Sequence, residues 1–126
     1  MRKTLLIAGA LACTFLTGCA PAPQTRWAWN NYQDNLYNYH QQQMTDKELY
    51  EALLGAEQEA SNRGVRLAPG LYAEIGTICM KLGGSADEVC GWYRKEAALW
   101  PESEPFMNSL IEGIERNQKN LKGDGK

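Results

Sequence analysis

LYAEIGTICMKLGGSADEVCGWYRKEAALWP, residues 71–101, decides the fold. Leu71, Ile75, Ile78 and Leu82 recur at spacings of four, three and four. A helix completes a turn every 3.6 residues, so that spacing stacks all four on one face. Gly83 and Gly84 end the pattern, and Ser85 offers an oxygen to cap a second helix. In that helix Ala86, Val89, Tyr93, Ala97 and Trp100 hold the same spacing up to Pro101. Proline lacks the amide proton that a further turn needs, and the helix must stop there. The stretch therefore reads as two amphipathic helices folded about a short turn.

The same pattern extends outward in both directions. Thr45-Asp46-Lys47-Glu48 has the form of a capping box, in which the threonine oxygen and the glutamate side chain each take an orphan amide. The helix it opens carries Leu49, Leu53, Ala56 and Ala60 on one stripe and stops at Gly64. Residues 65–68 form a short loop before Pro69, which suits a first helical turn. Further upstream Trp29, Tyr32, Leu36, Tyr39 and Gln43 share one helical face. Downstream, Ser103 caps a fifth helix that tolerates Pro105 in its first turn and turns Phe106, Leu110, Ile111 and Ile114 inward. With short connections and no alternating strand pattern, the expectation is an all-α domain over residues 29–116. It consists of about five antiparallel helices, followed by a flexible polar tail over 117–126.

Residues 1–18 have the layout of a secretory signal: Arg2 and Lys3, then an apolar run over 5–16, then Thr17 and Gly18. Leu16-Thr17-Gly18-Cys19 resembles the lipobox of bacterial lipoproteins. The resemblance implies that Cys19 is lipidated and becomes the first mature residue. Ala20 in place of aspartate then implies the periplasmic face of the outer membrane. Residues 19–28, with two prolines and no periodicity, read as a linker. The leader holds two of the 13 basic residues and none of the 15 acidic ones, which leaves the mature chain at about −4. A weakly acidic chain without a basic cluster argues against nucleic acid, and membrane contact falls to the lipid alone.

Tyr72, Ile75-Gly76, Leu82-Gly83, Val89, Tyr93 and Pro101 stand where a tetratricopeptide repeat places its aromatics, its Leu-Gly-like pair, its turn and its closing proline. The hairpin resembles such a repeat, and the resemblance implies a right-handed array of stacked helix pairs. Glu96 departs from it, standing where the repeat has a small residue late in its second helix. Together, YQDNLYNY (32–39), APGLYAEIGTICMKLG (68–83) and ALWPESEPFM (98–107) resemble a family of small proteobacterial lipoproteins of this length, over residues 29–112. Members tend to be encoded beside a lipoprotein similar to the curli-secretion pore. The resemblance implies a role around an outer-membrane assembly, and no particular activity.

Cys79 and Cys90 flank the glycine turn and would persist as a disulfide in an oxidising compartment. They read as a structural staple or as two buried thiols, with a redox pair as the third option. The segment WAWNNYQDNLYNYHQQQ interleaves aromatics with amides, so it suits either a core stripe with a solvated face or a platform for sugar rings. Tyr37 and His40 lie off the apolar stripe and, with Trp92, are the candidate partner-contacting residues. Glu102, Glu104, Asp87 and Glu88 stand at helix starts, where carboxylates favour the helix dipole. One histidine and no ligand cluster imply no metal site and no cofactor, and no nucleophile–base pair points to an enzyme. The expected function is an outer-membrane lipoprotein that binds protein as an adaptor or accessory of a secretion or envelope-assembly complex, with self-association as a further option. The alternative is a glycan-binding module that uses residues 27–43 on peptidoglycan.

Overall fold

The computed structural model describes residues 26–29 and 31–123. The leader, Cys19 and most of the linker lie outside the described residues, as does the end of the tail. The described chain is all-α apart from one very short strand pair. In order it contains β1 (Trp27–Ala28), α1 (Tyr32–His40), α2 (Asp46–Arg63), β2 (Arg66–Leu67), α3 (Leu71–Lys81), α4 (Ala86–Leu99), a 3₁₀ turn (Pro101–Ser103) and α5 (Glu104–Gly123). Each helix packs on the next, α3 on α4 most extensively.

The helix boundaries follow the chemistry of their ends. At α2 the capping box forms in full: Thr45 Oγ1 accepts from the Glu48 amide at 3.3 Å, and Glu48 Oε2 accepts from the Thr45 amide at 2.8 Å. Gly64, at φ 61°, closes the same helix in the left-handed region. Ser85 Oγ caps α4 by accepting from the Glu88 amide at 3.2 Å. Leu49, Leu53, Ala56 and Ala60 of α2 are buried together with Leu71, Ile75 and Ile78 of α3. A second cluster joins Cys79, Val89, Cys90 and Tyr93 to Met107 and Ile111 of α5. Gly76 sits at the α3–α4 contact, where a Cβ would lie 2.8 Å from Tyr93 Cε1 and 3.1 Å from Trp92 Cβ. Absence of a side chain there is what lets the two helices approach.

Several expectations need correction. Trp27 and Ala28 belong to the domain and not to a linker: they pair in parallel with Arg66 and Leu67, and Ala28 is fully buried. A two-residue strand is too short to show any alternation in sequence. The first helix begins at Tyr32, so Trp29 precedes it and Gln43 lies past its end, and none of its residues is fully buried. Leu82 is the C-cap of α3 and is exposed. Phe106 points outward at 64% exposure while its neighbour Met107 takes the core position, a shift of one residue on the helix face. Ser103 sits in the 3₁₀ turn with its hydroxyl on Glu96. The polar tail is helical as far as Gly123.

Candidate functional site

A groove runs over α2, β2, α3 and α4. Glu57 comes from the middle of α2, Val65 and Arg66 from the connection that β1 pins, Tyr72 from the first turn of α3, and Lys95, Ala98 and Leu99 from the end of α4. Two adjoining clefts of about 360 and 290 Å³ share Tyr72 and Leu99. Beside them Tyr72 stacks on Trp92, with ring centroids 6.0 Å apart and planes 20° from parallel. Helical spacing puts Lys95 three residues after Trp92 on the same face, and its Nζ lies 4.1 Å from the Trp92 centroid. The same ammonium is 2.8 Å from Glu57 Oε1 and 5.4 Å from the Tyr72 centroid. Burial, with the negative charges of Glu57 and Glu96 behind it, pushes the Tyr72 phenol up to about 12. Tyr72 is therefore a protonated hydrogen-bond donor at any physiological pH. Flat aromatic and aliphatic walls with Glu57, Arg66 and Lys95 at the rim suit an amphipathic chain segment.

Glu96 lies beneath the groove. At 1% exposure its Oε1 accepts from the Gly70 amide at 2.7 Å and from Ser103 Oγ at 3.5 Å, while Oε2 is buried without a hydrogen-bond partner. It ties the start of α3 to the turn after α4, and a carboxylate at a helix start is electrostatically favoured. Beyond it Trp100 receives Trp27 edge-on at 5.3 Å, and the Arg66 guanidinium stands 5.8 Å from the Trp100 ring. The indole N–H groups of Trp92 and Trp100 are buried without hydrogen-bond partners.

A separate pocket of about 390 Å³ lies at the start of α1, lined by Trp29, Asn31, Tyr32, Gln33 and Asp34. Asn31, at φ 55°, turns the chain so that Trp29 and Tyr32 meet, with centroids 6.2 Å apart. Burial, followed by the charge of Glu74, raises the Tyr32 phenol.

Residues 27–110 match the family model of a domain of unknown function, DUF4810. The chain belongs to this family. The DUF4810 match opens at Trp27, the first residue of β1, and closes at Leu110 within α5, so it takes in the groove, Glu96 and the aromatic–amide pocket. No curated protein and no solved structure matches the chain.

Of the residues singled out in the sequence, Tyr37 is 64% exposed on α1 and His40 is exposed at its end, edge-on to Tyr39. Trp92 is not beside them; it is half-buried in the groove stack. The end of α1 is held instead by Lys81, which donates to the Tyr39 hydroxyl at 2.8 Å, while Tyr39 donates to Asp46 at 2.5 Å. Cys79 and Cys90 are free buried thiols, not a bridge. They face different neighbours: Cys79 lies among Glu88 and Tyr50, and Cys90 among Arg94, Glu115 and Asp87. Burial raises both thiols, which makes them poor nucleophiles. Cys19 lies outside the described residues. Among the described residues no group of three His, Cys, Asp or Glu side chains could hold a metal ion. Glu57, Arg66 and Lys95 were missed as site residues. The spacing of Trp92 and Lys95 was the available signal for one; nothing local in sequence links Glu57 to them across 38 residues.

Proposed function

We propose that this DUF4810 protein is an outer-membrane lipoprotein on the periplasmic face that serves as a protein-binding adaptor of a secretion or envelope-assembly complex. The observation that carries this reading is the groove, where the apolar Tyr72–Leu99 wall adjoins the Glu57–Lys95 pair. An extended or helical segment with one apolar anchor and flanking charges fits such a surface. The lipobox resemblance supports a membrane tether at Cys19, and the repeat-like residues around Gly76 support a helix-pair array, whose usual work is holding another chain. The family resemblance supports a partner similar to the curli-secretion pore. No catalytic role is proposed.

A photoreactive residue at Ala98, which lines the groove, tests the reading in intact cells. The expected result is one predominant protein adduct, with the pore-like lipoprotein as the foremost candidate. Capture of lipid or glycan alone would overturn it. The second reading, a peptidoglycan-binding module, rests on the pocket of Trp29, Asn31, Tyr32, Gln33 and Asp34, which sets two rings beside amide and carboxylate groups. Co-sedimentation with purified sacculi that is lost in Trp29→Ala favours it; no co-sedimentation removes it.

A further inference from the structure

The charges at the groove rim are not equivalent. Lys95 and Glu57 answer each other: the ammonium donates to Glu57 Oε1 at 2.8 Å while it covers the Trp92 ring. One turn along α2 from Glu57, Glu59 and Arg63 pair at 2.9 Å. Glu96, beneath the groove, is 1% exposed with Oε1 on the Gly70 amide, so its carboxylate does not reach the surface. Arg66 stands apart. It is exposed, and among the described residues no carboxylate forms an ion pair with it, Glu102 of the 3₁₀ turn included.

Arg66 is also held in place. Its backbone pairs with Trp27 in the parallel ladder, and its guanidinium stands 5.8 Å from the centroid of Trp100, which Trp27 meets edge-on at 5.3 Å. A guanidinium set against a ring commits its face and keeps the N–H fork at its edge, where two parallel donors match the two oxygens of a carboxylate. A side chain already supported in this way loses less freedom on binding. Arg66 lines the same cleft of about 360 Å³ as Tyr72 and Leu99, and those two residues continue into the second cleft towards Ala98. One unspent cation therefore stands at one end of an apolar trough.

We propose that the groove takes a segment of a partner protein in which an aspartate or glutamate lies close in sequence to a bulky aliphatic residue. Arg66 holds the carboxylate through its fork, and the aliphatic side chain lies on the Tyr72–Leu99 wall. This rests on the adaptor reading above and adds to it the sign of the partner's charge and the residue that selects it. With Glu57 and Lys95 cancelling, the charge left at the surface of the groove is the positive one of Arg66, so an acidic segment is complementary and a basic one is repelled. Because the trough continues past Tyr72 and Leu99, it suits a segment within the partner's chain and not its terminus.

The test uses the full chain as its host cell processes it, purified in a mild detergent, and pans it against random peptides displayed between two fixed flanks. Enriched peptides are expected to share an acid within a few residues of Leu, Ile or Met. A synthetic peptide of the enriched sequence is expected to bind about tenfold or more weaker when its acid is changed to the amide, and equally so to Arg66→Gln at an unchanged melting temperature. Arg66→Lys, which keeps the charge and loses the fork, is expected to restore only part of the affinity, while Lys95→Gln keeps the preference for acid. Enrichment of basic or uncharged peptides, no enrichment, or a preference for acid that survives in Arg66→Gln overturns the proposal. The cross-link from Ala98 separates the two readings. A captured protein segment without an acid sinks this proposal and leaves the adaptor standing, whereas capture of lipid or glycan alone removes both.

Discussion

Replacing Gly76 by alanine isolates the contact that joins the two best-packed helices. The new Cβ would lie 2.8 and 3.0 Å from Tyr93 Cε1 and Cδ1, and 3.1 Å from Trp92 Cβ. Neither neighbour yields easily. Tyr93 is buried with its hydroxyl 3.2 Å from Thr77 Oγ1, and the Trp92 Cβ moves only with the α4 backbone. Overpacking of this kind costs about 1–3 kcal/mol, while removing a helical glycine returns about 1 kcal/mol. Gly91 on α4 supplies the control, because a Cβ there meets nothing within 4 Å. Gly91→Ala should therefore stabilise by about 0.5–1 kcal/mol. The difference between the two variants removes the shared propensity contribution and leaves the contact, about 1–3 kcal/mol. Urea denaturation followed by far-ultraviolet circular dichroism measures it, and for a domain of this size the melting temperatures should separate by roughly 10 °C. Equal stability of Gly76→Ala and Gly91→Ala would refute the claim that helix approach at Gly76 leaves no room for a side chain.

Glu96→Ala removes the buried acceptor of the Gly70 amide and should cost about 1–3 kcal/mol, whereas Glu96→Gln keeps an acceptor oxygen and should cost less; a larger loss in the glutamine variant contradicts the assigned bond. Because Tyr72 holds its proton to about 12 when folded but ionises near 10 when unfolded, its contribution is complete below about pH 10 and is lost as pH rises towards 12. Tyr72→Phe should flatten that alkaline decline in stability, and an unchanged slope would show that the phenol titrates normally. A double-mutant cycle on Lys95→Gln and Glu57→Gln should return a coupling of about 0.5–1 kcal/mol, since the pair is partly exposed; zero coupling means that it is solvated apart. Alkylation in denaturant without reductant should label both Cys79 and Cys90, and protection of both would restore the bridge.

The helices were legible because their start and stop signals are local. Thr45 with Glu48, Ser85, Gly64 and Pro101 each act within a few residues of their own position, and the stripe from Leu49 to Ala60 needs only a period. What escaped the sequence depends on distance. Ala28 is buried because Leu67 pairs with it 39 residues away, and no pattern in a two-residue strand announces that. Phe106 and Met107 are both apolar at adjacent positions, so the period alone could not choose between them, and the contact with α4 did. The groove was half legible: Trp92 and Lys95 share a helix face, yet Glu57 and Tyr72 reach them only through the packing of α2 and α3 on α4. Glu96 showed in sequence only as a misfit to the repeat. Its reason, an amide 26 residues upstream, is tertiary.

The pairing of β1 with β2 also sets how this molecule bears load. Any pull transmitted along the chain from upstream arrives at Trp27 and Ala28, before it reaches α1. There it meets two strand registers, the buried Ala28 and the edge of Trp27 against Trp100. Tension therefore passes across the sequence to the α2–α3 connection and the end of α4, and α1, which buries none of its residues fully, is bypassed. The joint works as a strain relief, in which α1 is shielded from upstream tension by a knot of two tryptophans and a four-residue ladder.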